Sequence, residues 1–343
     1  EQFFSSVYPT ISSGKSSKVM IVSTPHGMNM FYKLWNDAIH ERNSYKPIEV
    51  HWSEVPGRDE KWKEETIKNT SEQQFQTEFE CEFLGSVDTL INSSKLRTMS
   101  HVNPKTSNAG LDMYEEPKKD KRYVITVDVA RGTVNDNSAF VVVDATRIPY
   151  HIVAKYKNNE IKPLVFPQIV YKIAKSYNNA EVLVEVNDIG GQVADTLQYD
   201  LEYDNLIMVN QRGRSGQIAG TGFSGRQSQL GLRTTKAVKK IGCSNLKTLI
   251  EHDKLIIQDF DIISELSTYI LKGKEKYEAE EGANDDLVAC LVMFAWLSNQ
   301  TYFKELTDQD IRARLVDEQS KMLEQDMAPF GFVDDGLQES ESF

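Results

Sequence analysis

Three acidic positions stand where an apolar chain should carry no charge. Asp128 interrupts Val124-Ile125-Thr126-Val127-Asp128-Val129-Ala130, Glu185 interrupts Val182-Leu183-Val184-Glu185-Val186-Asn187, and Asn284-Asp285-Asp286 opens the apolar run Leu287 to Leu297. A buried carboxylate without a partner is strongly unfavourable, so something must compensate each one. Taken singly, each has a plain structural explanation. Asp128 could accept backbone hydrogen bonds at a strand end, Glu185 could pair with a lysine, and Asp285 could cap its helix. Taken together, they suit a shared hard cation that prefers oxygen ligands, Mg²⁺ or Mn²⁺. Two such ions about 3.5 to 4 Å apart activate water and stabilise the leaving oxygen of a phosphodiester. In that scheme Asp128 bridges both ions, and Glu185 and Asp286 each complete one. Of the adjacent acids, Asp286 is expected as the ligand and Asp285 as N-cap, as a group behind the ligands or as an alternative ligand, because the helix dipole also favours a first-turn acid. Asp136 and Asp188 are near enough in sequence for outer-sphere roles.

The elements around these acids follow from apolar periodicity. Four strand signals, Tyr123 to Val129, Ser138 to Asp144, Tyr150 to Lys157 and Glu181 to Val186, surround a helical stretch from Pro163 to Tyr177. Short turns join the first three, which predicts an antiparallel meander; the fourth follows a helix and should cross over to lie parallel. Further helices are predicted at Ile189 to Leu201, Lys236 to His252 and Asp285 to Asn299, with a strand near Leu206 to Val209. This is the ribonuclease H-like order of an α/β fold: a mixed sheet of three antiparallel strands then parallel crossover strands, flanked by helices. Upstream, Lys18 to Ser23 predicts a buried strand closed by Thr24-Pro25-His26-Gly27, followed by a helix from Met28 to Glu41. Residues Ser53 to Glu80 predict one or two surface helices, with Trp62, Ile67 and Phe75 on one face. The organisation expected is 1–87 as one unit, 88–120 as an extended lead-in, 121–300 as the ribonuclease H-like domain and 301–343 as an acidic tail.

The net charge of −12 in 343 residues opposes binding to a polyanion, but the charge is unevenly spread. Asn205 to Ile250 holds no acid and eight cations: Arg212, Arg214, Arg226, Arg233, Lys236, Lys239, Lys240 and Lys247. Glycines interleave the first part, Gly213 to Gly231, so that backbone amides and guanidiniums can both reach phosphates. A solvated surface loop is the bland alternative for such a run. The segment Thr301 to Phe343 carries eleven acids against four bases and supplies more than half of the deficit. Cys81, Cys243 and Cys290 have no zinc spacing and read as buried free thiols. The longest apolar run is about half of what a bilayer crossing needs. No membrane span and no secretory leader are expected.

These segments resemble the large terminase subunits of tailed bacteriophages, most nearly those of T-even-type myoviruses. The likeness is carried by Ile11-Ser12-Ser13-Gly14, Val22-Ser23-Thr24-Pro25-His26-Gly27-Met28-Asn29-Met30-Phe31-Tyr32, Thr126-Val127-Asp128, Val184-Glu185-Val186-Asn187, Asp200-Leu201-Glu202-Tyr203, Ile241-Gly242-Cys243-Ser244, Asp253-Lys254-Leu255-Ile256-Ile257 and Asn284-Asp285-Asp286-Leu287-Val288. The resemblance implies an N-terminal packaging ATPase joined to a ribonuclease H-like nuclease that cuts concatemeric double-stranded DNA at the start and end of headful packaging. It implies metal-binding acids at Asp128, Glu185 and Asp286, and an ATPase coupling motif at Ser23 and Thr24, with Val22 where a further hydroxyl residue often stands. It also implies a portal protein and a small terminase subunit as partners, a ring on the portal, and location in the infected host's cytoplasm and transiently at the prohead, not in the mature virion.

Gly14-Lys15-Ser16 lacks the first glycine of a P-loop, since position 9 is Pro9. With no other Walker-type loop and a start at Glu1, the chain reads as a fragment that begins beyond the ATP site. It is expected to use ATP only as part of a longer protein, and to be monomeric alone. Two rival readings remain: a junction resolvase or integrase on the same fold, and a non-catalytic DNA clamp. The acidic tail is read as a partner-docking segment. Removing Thr307 to Phe343 should therefore leave plasmid cutting intact in a nicking assay, and loss of cutting would count against that reading.

Overall fold

The structure is a computed structural model that describes residues 9, 11, 18–25, 27, 29–83, 88–130, 137–187, 189–210, 228–273 and 276–304. In chain order its elements are α1 (Met30–Ile39), α2 (Glu60–Asn69), α3 (Glu72–Glu78), α4 (Ser93–Thr98), β1 (Thr106–Asn108), β2 (Leu111–Met113), β3 (Tyr123–Asp128), β4 (Ser138–Asp144), β5 (Tyr150–Asn158), α5 (Phe166–Ser176), β6 (Glu181–Val184), α6 (Gly190–Asp195), β7 (Met208–Asn210), β8 (Ser228–Leu230), α7 (Lys236–Glu251), β9 (Leu255–Ile256), α8 (Phe260–Thr268), β10 (Tyr269–Lys272), β11 (Lys276–Ala279) and α9 (Asp286–Ser298).

The β-branched runs pair as their spacing predicts. β3, β4 and β5 form an antiparallel meander, and β6 returns through α5 to lie parallel to β3. The main sheet runs β1-β2-β5-β4-β3-β6, with β9 also paired to β5. Its two faces sort the residues by alternation. Ile125, Val127, Phe140, Val142, Val182 and Val184 pack against α5 and α6. Val124, Ala139, Val141, Val143 and Leu183 pack beneath α7, α8 and α9. Helix α9 is apolar all round because it is enclosed all round: every residue from Asp286 to Leu297 except Ala289 is buried. It is too short to span a bilayer, and no described helix is long and apolar enough to do so.

The N-terminal region joins this body through aromatic and polar contacts. Tyr32 of α1 stacks on Phe260 with ring centroids 6.5 Å apart, and the buried His101 ring bonds Asp37 at 3.0 Å. Trp52, Trp62, Phe75 and Phe79 form a second aromatic cluster between α2 and α3. The strand expected over Lys18 to Ser23 is absent: among the described residues nothing pairs with it, and Met20 and Val22 are exposed. The lead-in 88–120 contributes α4 and two strands of the main sheet, where β2 pairs with β5. Helices α4 and α8, strand β9 and the β10–β11 hairpin had no separate signal in the sequence pattern. All three cysteines are free, with Cys243 and Cys290 buried.

At the end of β4 the buried Asp144 accepts from the backbone and hydroxyl of Thr146 and pairs with Lys121. Burial alone pushes its carboxyl up, but Lys121 and Thr146 outweigh this and hold it below its ordinary value. The folded state therefore favours the charged form. That contribution is present above the unfolded value near 3.8 and is lost as pH falls through the lower folded value. Asp144→Asn should cost about 1 to 3 kcal/mol at pH 7 in urea unfolding, with the gap to the unmodified protein closing as pH falls below 3.8.

Candidate metal centre at the end of the sheet

Register decides where the acids lie. In the parallel pairing of β3 with β6, Val127 stands opposite Val184, and the Glu185 amide donates to the Val127 carbonyl at 2.9 Å. Asp128 and Glu185 are thus the next pair along, at the C-terminal ends of neighbouring strands. By alternation with Val124 and Leu183 both belong to the face that α9 covers. Both are half-buried.

Asp286, the first residue of α9, approaches that same end. It is 7% exposed, and its Oδ2 accepts from Asn137 Nδ2 at 2.6 Å, just ahead of β4. One turn on, the Cys290 thiol lies 3.6 Å from the carbonyl of Ala139, the register partner of Asp128. Burial pushes this thiol well above its ordinary value, and the charges of Asp128, Glu265 and Asp286 push it further. These acids therefore all lie within electrostatic reach of one buried thiol on α9. Glu185 Oε1 accepts from Asn187 Nδ2 at 2.7 Å on the other side. The three acids are not drawn into one tight knot: among the described residues, the group of three whose ligand atoms all lie within 4.8 Å is a different one.

That other group is Asp112, Asp259 and Asp261. Lys155 fills it: its Nζ lies 3.0 Å from Asp112 and 3.9 Å from Asp259, and bonds Asp261 directly. Burial pushes the Lys155 ammonium down, but the three carboxylates raise it overall. A buried ammonium already compensates these acids, so a metal would have to displace it.

Asp285 meets only part of its expectation as an N-cap. It holds the N-cap position of α9, but its side chain makes no capping bond. The amides it would take, those of Leu287 and Val288, donate to Oε2 of Glu265 instead, at 2.9 and 3.1 Å. Glu265 is 5% exposed; burial pushes its carboxyl up to about 7 despite Lys157 at 2.5 Å. The charge of Asp285 is felt by Cys243 and Tyr269, on the α7 side, whereas Asp286 meets Asn137. Consecutive carboxylates at one helix start thus diverge. Glu265, Lys157 and Asn137 carry no sequence signal of their own, since each is an ordinary polar residue until the fold assembles its neighbours.

Glu185 forms a parallel bridge with Leu232, so the basic stretch resumes beside it. Arg233, Lys236 and Lys240 are exposed there, while Lys239 is half-buried with its ammonium 5.6 Å from the Tyr269 ring centre. Lys236, Lys239 and Lys240 crowd the start of α7, which has no acid in its first turn. Cations at a helix N-terminus oppose the dipole, so this placement favours an external anion over helix stability. Arg212, Arg214, Arg226, Asp136, Asp188 and nearly all of the acidic tail lie outside the described residues. Ser23 and Thr24 are exposed, and the Ser23 hydroxyl donates to the Thr24 carbonyl at 3.0 Å.

Comparison with known proteins adds an independent finding. Residues 125–296, half of the chain, match the family model of the terminase RNaseH-like domain. Residues 1–98 match that of the terminase large subunit, T4likevirus-type, N-terminal. Among solved structures, the large terminase nuclease from thermophilic phage G20c with bound magnesium is similar at 19% identity and TM-score 0.47, covering 62% of this chain and 98% of that one. The large terminase nuclease domain of Thermus phage P74-26 is similar at 19% identity and TM-score 0.44, with 60% and 92% covered. The large terminase of a further thermophilic bacteriophage is similar at 12% identity and TM-score 0.39, covering 86% of this chain and 66% of that one.

Gly190 shows how tightly this end is built. A Cβ there would lie 1.7 Å from the Glu185 carbonyl oxygen, so no side chain fits without moving the Glu185 backbone. Gly190→Ala is expected to destabilise the protein by about 2 kcal/mol or more in urea unfolding, as overpacking does. An unchanged midpoint would show that Glu185 can shift freely.

Proposed function

Because this chain belongs to the terminase RNaseH-like domain family, we propose that it cuts double-stranded DNA with divalent metal ions held by Asp128, Glu185 and Asp286. Together the two matched models are those of a terminase large subunit, and at family level the activity is that of a DNA-packaging nuclease. The observation that carries the assignment to these residues is the β3–β6 register, which sets Asp128 beside Glu185 under the first turn of α9.

The donor set fits a hard cation: three carboxylates at one sheet end, steadied by the amides of Asn137 and Asn187. Mg²⁺ or Mn²⁺ bound there, as a pair, would activate water and stabilise the leaving oxygen of the phosphodiester. The chain's own residues do the rest. Asn137 and Asn187 orient two of the carboxylates, and burial at the start of α9 shields Asp286 from bulk water. Arg233, Lys236, Lys239 and Lys240, with Arg212, Arg214 and Arg226, hold the phosphate backbone, which positions the duplex without reading its sequence.

The finer reading is a headful-packaging endonuclease acting on concatemeric DNA at initiation and termination. In a longer protein it is coupled to an ATP-driven motor, with 1–87 as part of the ATPase and Ser23 and Thr24 in the coupling motif. The lead-in is 88–120, the nuclease domain 121–300 and the tail 301–343. Portal and small subunit are its partners, on a ring at the prohead in the host cytoplasm.

Asp128→Asn removes one charged ligand and should lower nicking of supercoiled plasmid in Mg²⁺ or Mn²⁺ by at least about a hundredfold, more than loss of an outer partner costs. Undiminished nicking by the folded variant would sink the assignment.

A further inference from the structure

Helix α9 does not use the cap its own sequence offers. Its second and third residues, Leu287 and Val288, present the amides that an N-cap side chain ordinarily takes, and both donate to Glu265 Oε2. The acceptor comes from α8, 22 residues earlier than Leu287. The other oxygen, Oε1, takes the Lys157 ammonium from β5 at 2.5 Å. One buried carboxylate thus ties α8, β5 and the start of α9 together. In its ionised form this carboxylate is bound by an ammonium and two helix-terminal amides in charge-assisted bonds, which fix geometry more firmly than neutral ones.

The position it fixes is that of Asp286, whose peptide directly precedes the Leu287 amide. Were Asp285 to cap the helix, its side chain would fold over the helix end beside Asp286. Glu265 reaches the same amides from the opposite element, which leaves Asp286 facing Asn137 and the Asp128 end of the sheet. A negative charge so near Asp286 would be unfavourable if Lys157 did not offset it.

We propose that Glu265 is a positioning residue of the metal centre: a helix cap supplied from α8 and paired with Lys157, which sets the Asp286 carboxylate toward Asp128. This rests on the reading of Asp128, Glu185 and Asp286 as metal ligands. Glu265 itself is not a ligand; it acts through the first turn of α9.

The test is Mn²⁺ titration of the full chain by calorimetry, alongside plasmid nicking across a Mn²⁺ series, with thermal melting to confirm folding. Glu265→Gln keeps the shape but loses the charge and the pairing with Lys157. It should weaken Mn²⁺ binding about tenfold and raise the half-maximal Mn²⁺ concentration for nicking equally, in the range of outer-partner losses at metal sites. Glu265→Asp keeps the charge one methylene short and should recover part of the loss. Mn²⁺ affinity unchanged in folded Glu265→Gln overturns the proposal. If that variant does not fold, unchanged affinity in Glu265→Asp overturns it instead. Asp128→Asn separates the two readings: if it abolishes Mn²⁺ binding while Glu265→Gln has no effect, only the positioning role falls. If Asp128→Asn binds Mn²⁺ and nicks normally, the metal-centre reading itself falls.

Discussion

Parallel pairing of β3 with β6 sets Val127 against Val184 and leaves Asp128 and Glu185 as the next pair, on the face beneath α9. A slip of one residue in either strand would turn its acid to the α5–α6 face and bring a valine to the site. The register is held on both sides of the sheet by apolar residues that cannot exchange faces without exposure. Ile125, Val127, Val182 and Val184 fill one core, and Val124 and Leu183 fill the other. The two acids therefore take their place from the hydrophobic pattern of their strands more than from any attraction between them.

The third acid depends on a different kind of force. Helix α9 is driven into the core by its apolar surface, but burial leaves its first amides without water. Glu265, itself paired with Lys157, meets that need, and a second pairing, Lys155 with Asp112, Asp259 and Asp261, anchors the start of the same helix α8 against the same strand β5. Phe260, between those anchors, also receives Tyr32 from the N-terminal region and His101 from the lead-in. One short helix thus touches the N-terminal segment at its start and the Asp286 end of α9 through Glu265.

The strands that carry Asp128 and Glu185, and their neighbours, were legible because their signals are local. Runs of β-branched residues named β3, β4, β5 and β6, and their acids stood out as breaks in those runs. The elements that went unread have weak local signals. β9 is two residues long, and β1 and β2 lie in a polar stretch, where β2 takes the edge of β5 and β1 takes that of β2. The reverse error occurred at Lys18 to Ser23, where a strand-like composition finds no partner among the described residues. Hydrogen-bonded neighbours make a strand, and composition alone does not supply them.

By itself the sequence determined the fold class, the antiparallel-then-parallel order and the three positions where carboxylates break an apolar pattern, since each follows from residue periodicity along a short stretch. Only the tertiary structure decided how adjacent acids divide. Asp286 meets Asn137 while Asp285 makes no capping bond, because Glu265 has taken the amides that Asp285 would otherwise cap. It also decided that Asp112, Asp259 and Asp261 gather around Lys155. Both outcomes depend on groups brought together from distant segments, and no spacing along the chain encodes such a meeting.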